Sequence, residues 1–153
     1  YESLCALAEK AQDIKDQLLK AVDEDTEAFN EVIAGIRLPK DTAEQLEIRA
    51  AVIQSGYKTA ARVPLNTAKL CRAVLALCQQ AADIGNEAVM SDAGVGALMA
   101  YAGVRGAIHN VRINLPHTRD EAFIDETSRE LGDLVDQSKR ICDSIQEQVE
   151  KSF

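Results

Sequence analysis

One carboxylate in this chain stands where its helix pattern asks for an apolar side chain. From Glu2 to Ile36, the residues Leu4, Leu7, Ala11, Ile14, Leu18, Val22, Phe29, Val32 and Ile36 recur at steps of three and four, the period of an amphipathic helix. The step after Val22 lands on Asp25. An acid on a core-facing stripe is costly unless it is paired, protonated or used. Asp25 is therefore either half of a buried ion pair with an arginine or a group that moves a proton, and general acid–base work is the chemistry it offers. Asp23 and Glu24 are rotated off the stripe, and Glu27 and Glu31 fall on a more solvated side. At the end of the same helix, RLPK at 37–40 forms a short basic turn in which Arg37 and Lys40 carry the charge. A third set, Asp92, Asn110 and Asn114, lies along the glycine-rich segment 85–115 and offers hydrogen bonds beside its glycines.

Other chemistries lack their residues. No phosphate-binding GxxxxGK[ST] loop, no dinucleotide GxGxxG after a strand and no GxSxG elbow is present. His109 and His117 have no second histidine or carboxylate at metal-ligand spacing, so no metal site is expected. Cys5, Cys71, Cys78 and Cys142 are scattered without a Cys-x-x-Cys pair and read as small buried apolar residues.

The elements that must hold these groups are helices. The segment 85–115, GNEAVMSDAGVGALMAYAGVRGAIHNVRINL, is apolar on every side of the wheel and carries only Arg105 and Arg112 as charges after Asp92. It reads as a central buried helix, with Ser91 as N-cap, Asp92 in the first turn and Pro116 as the stop. Gly85, Gly94, Gly96, Gly103 and Gly106 weaken a helix interior by about 1 kcal/mol each relative to alanine. Close approach of another helix, or of a flat ligand, would compensate. Around this centre the pattern predicts helices at Glu2–Ile36, Ala43–Val63, Leu65–Ile84 and Asp120–Val149, with Pro64 breaking or kinking the second and Gly85 and Asn86 capping the third. The expected fold is all-α, a single-domain bundle of about five helices spanning 1–153 around the glycine-rich one.

Composition narrows the partners. Aromatics make up only 4% and Trp is absent, so the core must be built from Ala, Val, Leu and Ile. A net charge of −8, with no basic stripe or aromatic platform, argues against nucleic acid. No apolar run is long enough to span a bilayer, and no signal peptide is visible, so a soluble cytoplasmic protein is expected.

Four stretches in register add a family likeness. VDEDTEAFNEVIAGIRLPK at 22–40, VPL at 63–65, GNEAVMSDAGVGA at 85–97 and NVRINL at 110–115 together resemble the formiminotetrahydrofolate cyclodeaminase and methenyltetrahydrofolate cyclohydrolase family over nearly the whole chain. The resemblance implies an all-helical, homodimeric, metal-free domain with no cofactor beyond its tetrahydrofolate substrate. It implies either conversion of 5-formiminotetrahydrofolate to 5,10-methenyltetrahydrofolate with release of ammonia, or hydrolysis of the methenyl compound to 10-formyltetrahydrofolate. The proton donor of the family's DxDxEAF motif falls on Asp25. Motif position and charge assign Asp23, Asp92, Asn110 and Asn114 to substrate binding, the last three at the pterin, and Arg37 and Lys40 to the glutamate carboxylates. The family's PGGGS-type segment and the helix after it, which precede the first helix here, are missing from this sequence. That departure motivates the alternative, a non-catalytic helical interaction module that keeps the fold without the activity.

Overall fold

The computed structural model describes residues 2–84 and 87–152, which form α1 (Glu2–Arg37), α2 (Ala43–Asp83), α3 (Glu87–Asn114), a 3₁₀ turn (Leu115–His117) and α4 (Glu121–Glu150). The fold is all-α, with four helices among the described residues where five were expected. Local chemistry sets the starts. Thr42 Oγ1 accepts from Gln45 N at 3.2 Å while Gln45 Oε1 accepts from Asp41 N at 2.8 Å, a reciprocal cap that closes the basic turn and opens α2. Asp120 Oδ1 caps α4 by accepting from Phe123 N at 3.0 Å.

The count differs because α2 runs unbroken through Pro64. A proline in a helix interior withholds the N–H owed to the carbonyl four residues earlier, here that of Ala60. Asn114 Nδ2 from α3 donates to Ala60 O at 3.0 Å instead. With that bond replaced, the break read from sequence does not occur. The start of α3 differs as well: it begins at Glu87, so Ser91 is an exposed residue of the second turn rather than a cap, and Asp92 is past the first turn. The cap proposed at Gly85 and Asn86 lies outside the described residues.

α2 is the spine, with α1 packed on it from one side and α3 and α4 from another, the last two also packed on each other. Leu75, Val104, Ile108, Val111 and Ile145 are fully buried where these three helices meet. Small residues allow the close approaches. A Cβ on Gly103 would sit 2.8 Å from Cys71 Sγ, and one on Gly96 would sit 3.1 Å from Cys78 Sγ, so each of these two glycines of α3 seats a thiol of α2. On the other side, a Cβ on Gly56 of α2 would meet the Val32 backbone at 3.2 Å, and one on Gly35 of α1 the Ile53 nitrogen at 3.2 Å.

Two burial expectations fail for the same reason. On α1 the side turned to α2 is Ala21, Ala28, Val32 and Gly35, whereas Val22 and Phe29 are 64% and 62% exposed. Helices this close bury small side chains and turn large ones outward. On α3, Ala93, Ala97, Ala100 and Ala107 face the core, while Met99 and Ile113 are 70% and 65% exposed and Val95 and Leu98 share their face. The central helix is therefore covered on one side only. Among the cysteines, Cys71 and Cys142 are buried and Cys78 is partly so, but Cys5 is exposed. Burial raises the pKa of the three inner thiols, which keeps them protonated and inert.

Candidate active site

Where α1 crosses α2 beside α3, the chain leaves a cleft of about 320 Å³. α1 contributes Ala21, Val22, Asp25 and Thr26 to its wall; α2 contributes Pro64 and Thr67 to its floor; α3 contributes Gly103, Ala107 and Asn110 opposite. The lining mixes apolar side chains with four polar ones, Asp25, Thr26, Thr67 and Asn110, which can orient a small molecule.

Asp25 sits at this cleft but is not buried in the core. It is exposed, between the buried Ala21 and Ala28, and among the described residues no cation lies within ion-pair distance of it. The inward placement and the ion-pair alternative both give way to a carboxylate on the rim. Helix geometry is the reason: Asp25 stands beside the Ala21 and Ala28 line that meets α2, not on it.

The hydroxyls around Asp25 have a fixed sense. Thr26 Oγ1 donates to Val22 O and Thr67 Oγ1 donates to Val63 O, each at 3.1 Å. Their hydrogens are engaged, so toward the cleft they present lone pairs. Asp25 when ionised also only accepts, whereas Asn110 brings both an N–H pair and a carbonyl. The arrangement suits a ligand that is rich in N–H groups or cationic at its reacting centre. Sequence reasoning missed Thr26, Thr67 and Pro64 as lining residues; the signal for Pro64 was its place inside an otherwise unbroken helical pattern.

The other candidates lie apart. Asp23 is exposed and points roughly 200° away from Asp25 around α1. Arg37 and Lys40 are exposed at the far end of α1, with Arg37 about 18 Å of helical rise beyond Asp25. Asp92 is exposed and lies about 27 Å along α3 from Asn110. Asn114 is close, but both its N–H groups are engaged, one by Ala60 O and one by Asn110 O, at 3.0 Å each. Of the predicted set, the structure brings Asp25 and Asn110 to one cleft.

The end of α3 that carries Asn110 is held by α2. Gln54 Nε2 donates to His117 O at 3.0 Å and Gln54 Oε1 accepts from Arg119 N at 2.6 Å, so one side chain grips both sides of the turn. Tyr57 stacks on His117 with ring centres 4.6 Å apart, and Lys58 Nζ meets Asp120 Oδ2 at 2.6 Å. The Lys58 hydrogen bond, followed by that from Phe123 N, lowers the pKa of Asp120. His117 is thus a fastening of the turn; among the described residues no three His, Cys, Asp or Glu groups cluster as metal ligands. No described helix is long and apolar enough to cross a membrane.

A family model described as formiminotransferase-cyclodeaminase matches residues 1–133. The chain belongs to this family. Among its relatives is the methenyltetrahydrofolate cyclohydrolase of Methylorubrum extorquens, 40% identical over 141 residues that make up 92% of this chain and 68% of the relative. The formimidoyltransferase-cyclodeaminase of Gallus gallus is 39% identical over 125 residues, but these cover 82% of this chain and only 23% of that longer protein. The crystal structure of a formiminotetrahydrofolate cyclodeaminase from Thermotoga maritima superposes with a TM-score of 0.79 at 22% identity, covering 92% of this chain and 66% of the other. That likeness shows the family's helical fold, reached from a distant sequence.

Proposed function

We propose that this chain is a folate one-carbon enzyme whose site is the cleft between α1 and α3, acting on the carbon that bridges N5 and N10 of tetrahydrofolate. The observation that carries the reading is Asp25 standing free at the cleft across from Asn110, in a chain 40% identical to a methenyltetrahydrofolate cyclohydrolase.

Both family reactions ask for one proton carrier. In hydrolysis, water adds to the cationic methenyl carbon and loses one proton to Asp25, leaving a hydroxyl on that carbon; the protonated carboxyl then gives its proton to N5 as the carbon–N5 bond breaks, while the hydroxyl releases its own proton to solvent and becomes the carbonyl of the formyl group that stays on N10. In cyclodeamination, N10 attacks the formimino carbon, and Asp25 protonates the nitrogen that departs as ammonia. The lone pairs of Thr26 and Thr67 and the carboxylate of Asp25 suit both the cationic carbon and the N–H edge of a pterin. Asn110 supplies the matching N–H. Arg37 at the end of α1 and Lys40 in the turn after it attract the glutamate carboxylates. Asp23 points away from the cleft around α1, and Asp92 stands about 27 Å along α3 from Asn110.

The exposed face of α3 supports a second copy as partner. Val95, Leu98, Met99 and Ile113 are exposed on one face of α3, apolar side chains of the kind an assembly covers. We propose a homodimer packed through it, working in the cytoplasm without a metal or further cofactor.

The test is a pair of assays, methenyltetrahydrofolate hydrolysis and formiminotetrahydrofolate cyclodeamination, on wild type and Asp25→Asn, with folate affinity from calorimetry. The variant keeps the shape but cannot carry a proton, so turnover should fall by roughly 100-fold or more while affinity changes little. Wild-type turnover in the variant would remove Asp25 from the chemistry. Absence of folate binding by the wild type would favour the non-catalytic module.

A further inference from the structure

Pro64 leaves Ala60 O without its helical partner, and that carbonyl belongs to a buried residue. An unpaired buried carbonyl is as unfavourable as a lost hydrogen bond. The partner found for it comes from another helix: Asn114 Nδ2 donates to Ala60 O at 3.0 Å across a sequence separation of 54, and to Asn110 O at 3.0 Å on its own helix. One side chain therefore ties the turn of α2 that leads into Pro64 to the turn of α3 that carries Asn110, and both Pro64 and Asn110 line the cleft. Pro64 forms its floor, and Asn110 projects into it from the turn of α3 just before Asn114.

We infer that Asn114 is a positioning residue: by supplying the hydrogen bond that Pro64 cannot, it locks the register of α3 against α2 and so fixes Asn110 over the floor of the cleft. The role differs from direct ligand contact, because an amide has two N–H groups and both are engaged within the protein. It also explains why a proline is tolerated here. Its ring offers the cleft a flat apolar surface, and the missing donor is returned from across the helix interface. The inference rests on the folate reading for its kinetic consequence alone.

Five proteins test it: wild type, Asn114→Ala, Pro64→Ala, the double variant, and Asn114→Asp, a same-size side chain that has no N–H to give. Pro64→Ala restores an N–H at residue 64, so Ala60 O regains a partner within α2 and Asn114 becomes dispensable. Asn114→Ala should lower the melting temperature by several degrees, at about 2–4 °C for each lost hydrogen bond's worth in a chain of this size, and the double variant should recover at least half of that loss. In ligand-free protein, the side-chain amide NMR signal of Asn110 should move in Asn114→Ala and Asn114→Asp alike. With 5,10-methenyltetrahydrofolate as substrate, KM should rise roughly 10-fold in Asn114→Ala while kcat stays within about twofold, the pattern of lost ground-state binding. Independent, additive losses in the double variant would overturn the inference. An unmoved Asn110 signal, an Asn114→Asp variant that behaves as wild type, or an unchanged KM beside a lowered melting temperature would do the same. If the wild type neither binds nor turns over either folate, the proposed function fails, and the melting cycle with the amide signal still decides the role of Asn114.

Discussion

Both faces of α3 carry glycine, and the glycines meet opposite fates. Toward α2, Gly96 and Gly103 seat the sulfurs of Cys78 and Cys71 so closely that a Cβ on Gly103 would stand 2.8 Å from Cys71 Sγ. On the far face Gly106 has nothing within 4 Å of where its Cβ would be, and Met99 and Ile113 stand in the open. A glycine in a helix interior is unfavourable by about 1 kcal/mol against alanine, so each needs a reason. For Gly103 the reason is inside the chain. For Gly106 it is not, and a second copy of the chain is the proposed cover. The contrast shows that a helix read as apolar all round need not be buried on all sides within one chain.

Three experiments sharpen or break that contrast. Met99→Asp places a charge on the open face, and if a second copy covers it, association should weaken by roughly 100-fold or more, leaving a folded monomer by light scattering. An unchanged oligomer would show that this face is not the interface. Gly103→Ala forces Cys71 to shift and should destabilise by about 1–3 kcal/mol, read from denaturant unfolding. Adding Cys71→Ala should recover part of that loss, and failure to do so would deny the glycine–thiol fit. The smallest effect is expected from Gly106→Ala, which in a monomeric Met99→Asp background should stabilise by up to about 1 kcal/mol, since only helix propensity is at stake. Destabilisation there would mean that Gly106 is already covered within the chain.

Helices were legible in the sequence wherever large apolar residues kept the 3.6 period, and α4 ends within a residue or so of its predicted limits. What failed was the reading of size as burial. Val22 and Phe29 looked like core and are exposed, because the α1–α2 contact is closed by Ala21, Ala28, Val32 and Gly35, which leave no room for larger neighbours. Pro64 looked like a boundary because its remedy, Asn114, lies 54 residues away, beyond any local pattern. At the site, Asp25 was legible as an acid interrupting an apolar series and Asn110 as a polar group beside glycines. Thr67 was not, because a threonine on a helix says nothing of which way its hydroxyl donates until its neighbours are placed.

The grip of Gln54, Tyr57 and Lys58 on the turn after α3 also bears on the order in which the chain folds. α1 and α2 meet through a turn of a few residues, so their pairing is local and closes early. The bonds from Gln54 and Lys58 span sequence separations of 62 to 65, and a loop of that length closes only once α3 has docked along α2. α3 and α4 are thus registered late, by a fastening at one end. That end is also the one nearest Asn110, so the same long-range closure that seats the turn also sets Asn110 beside α2.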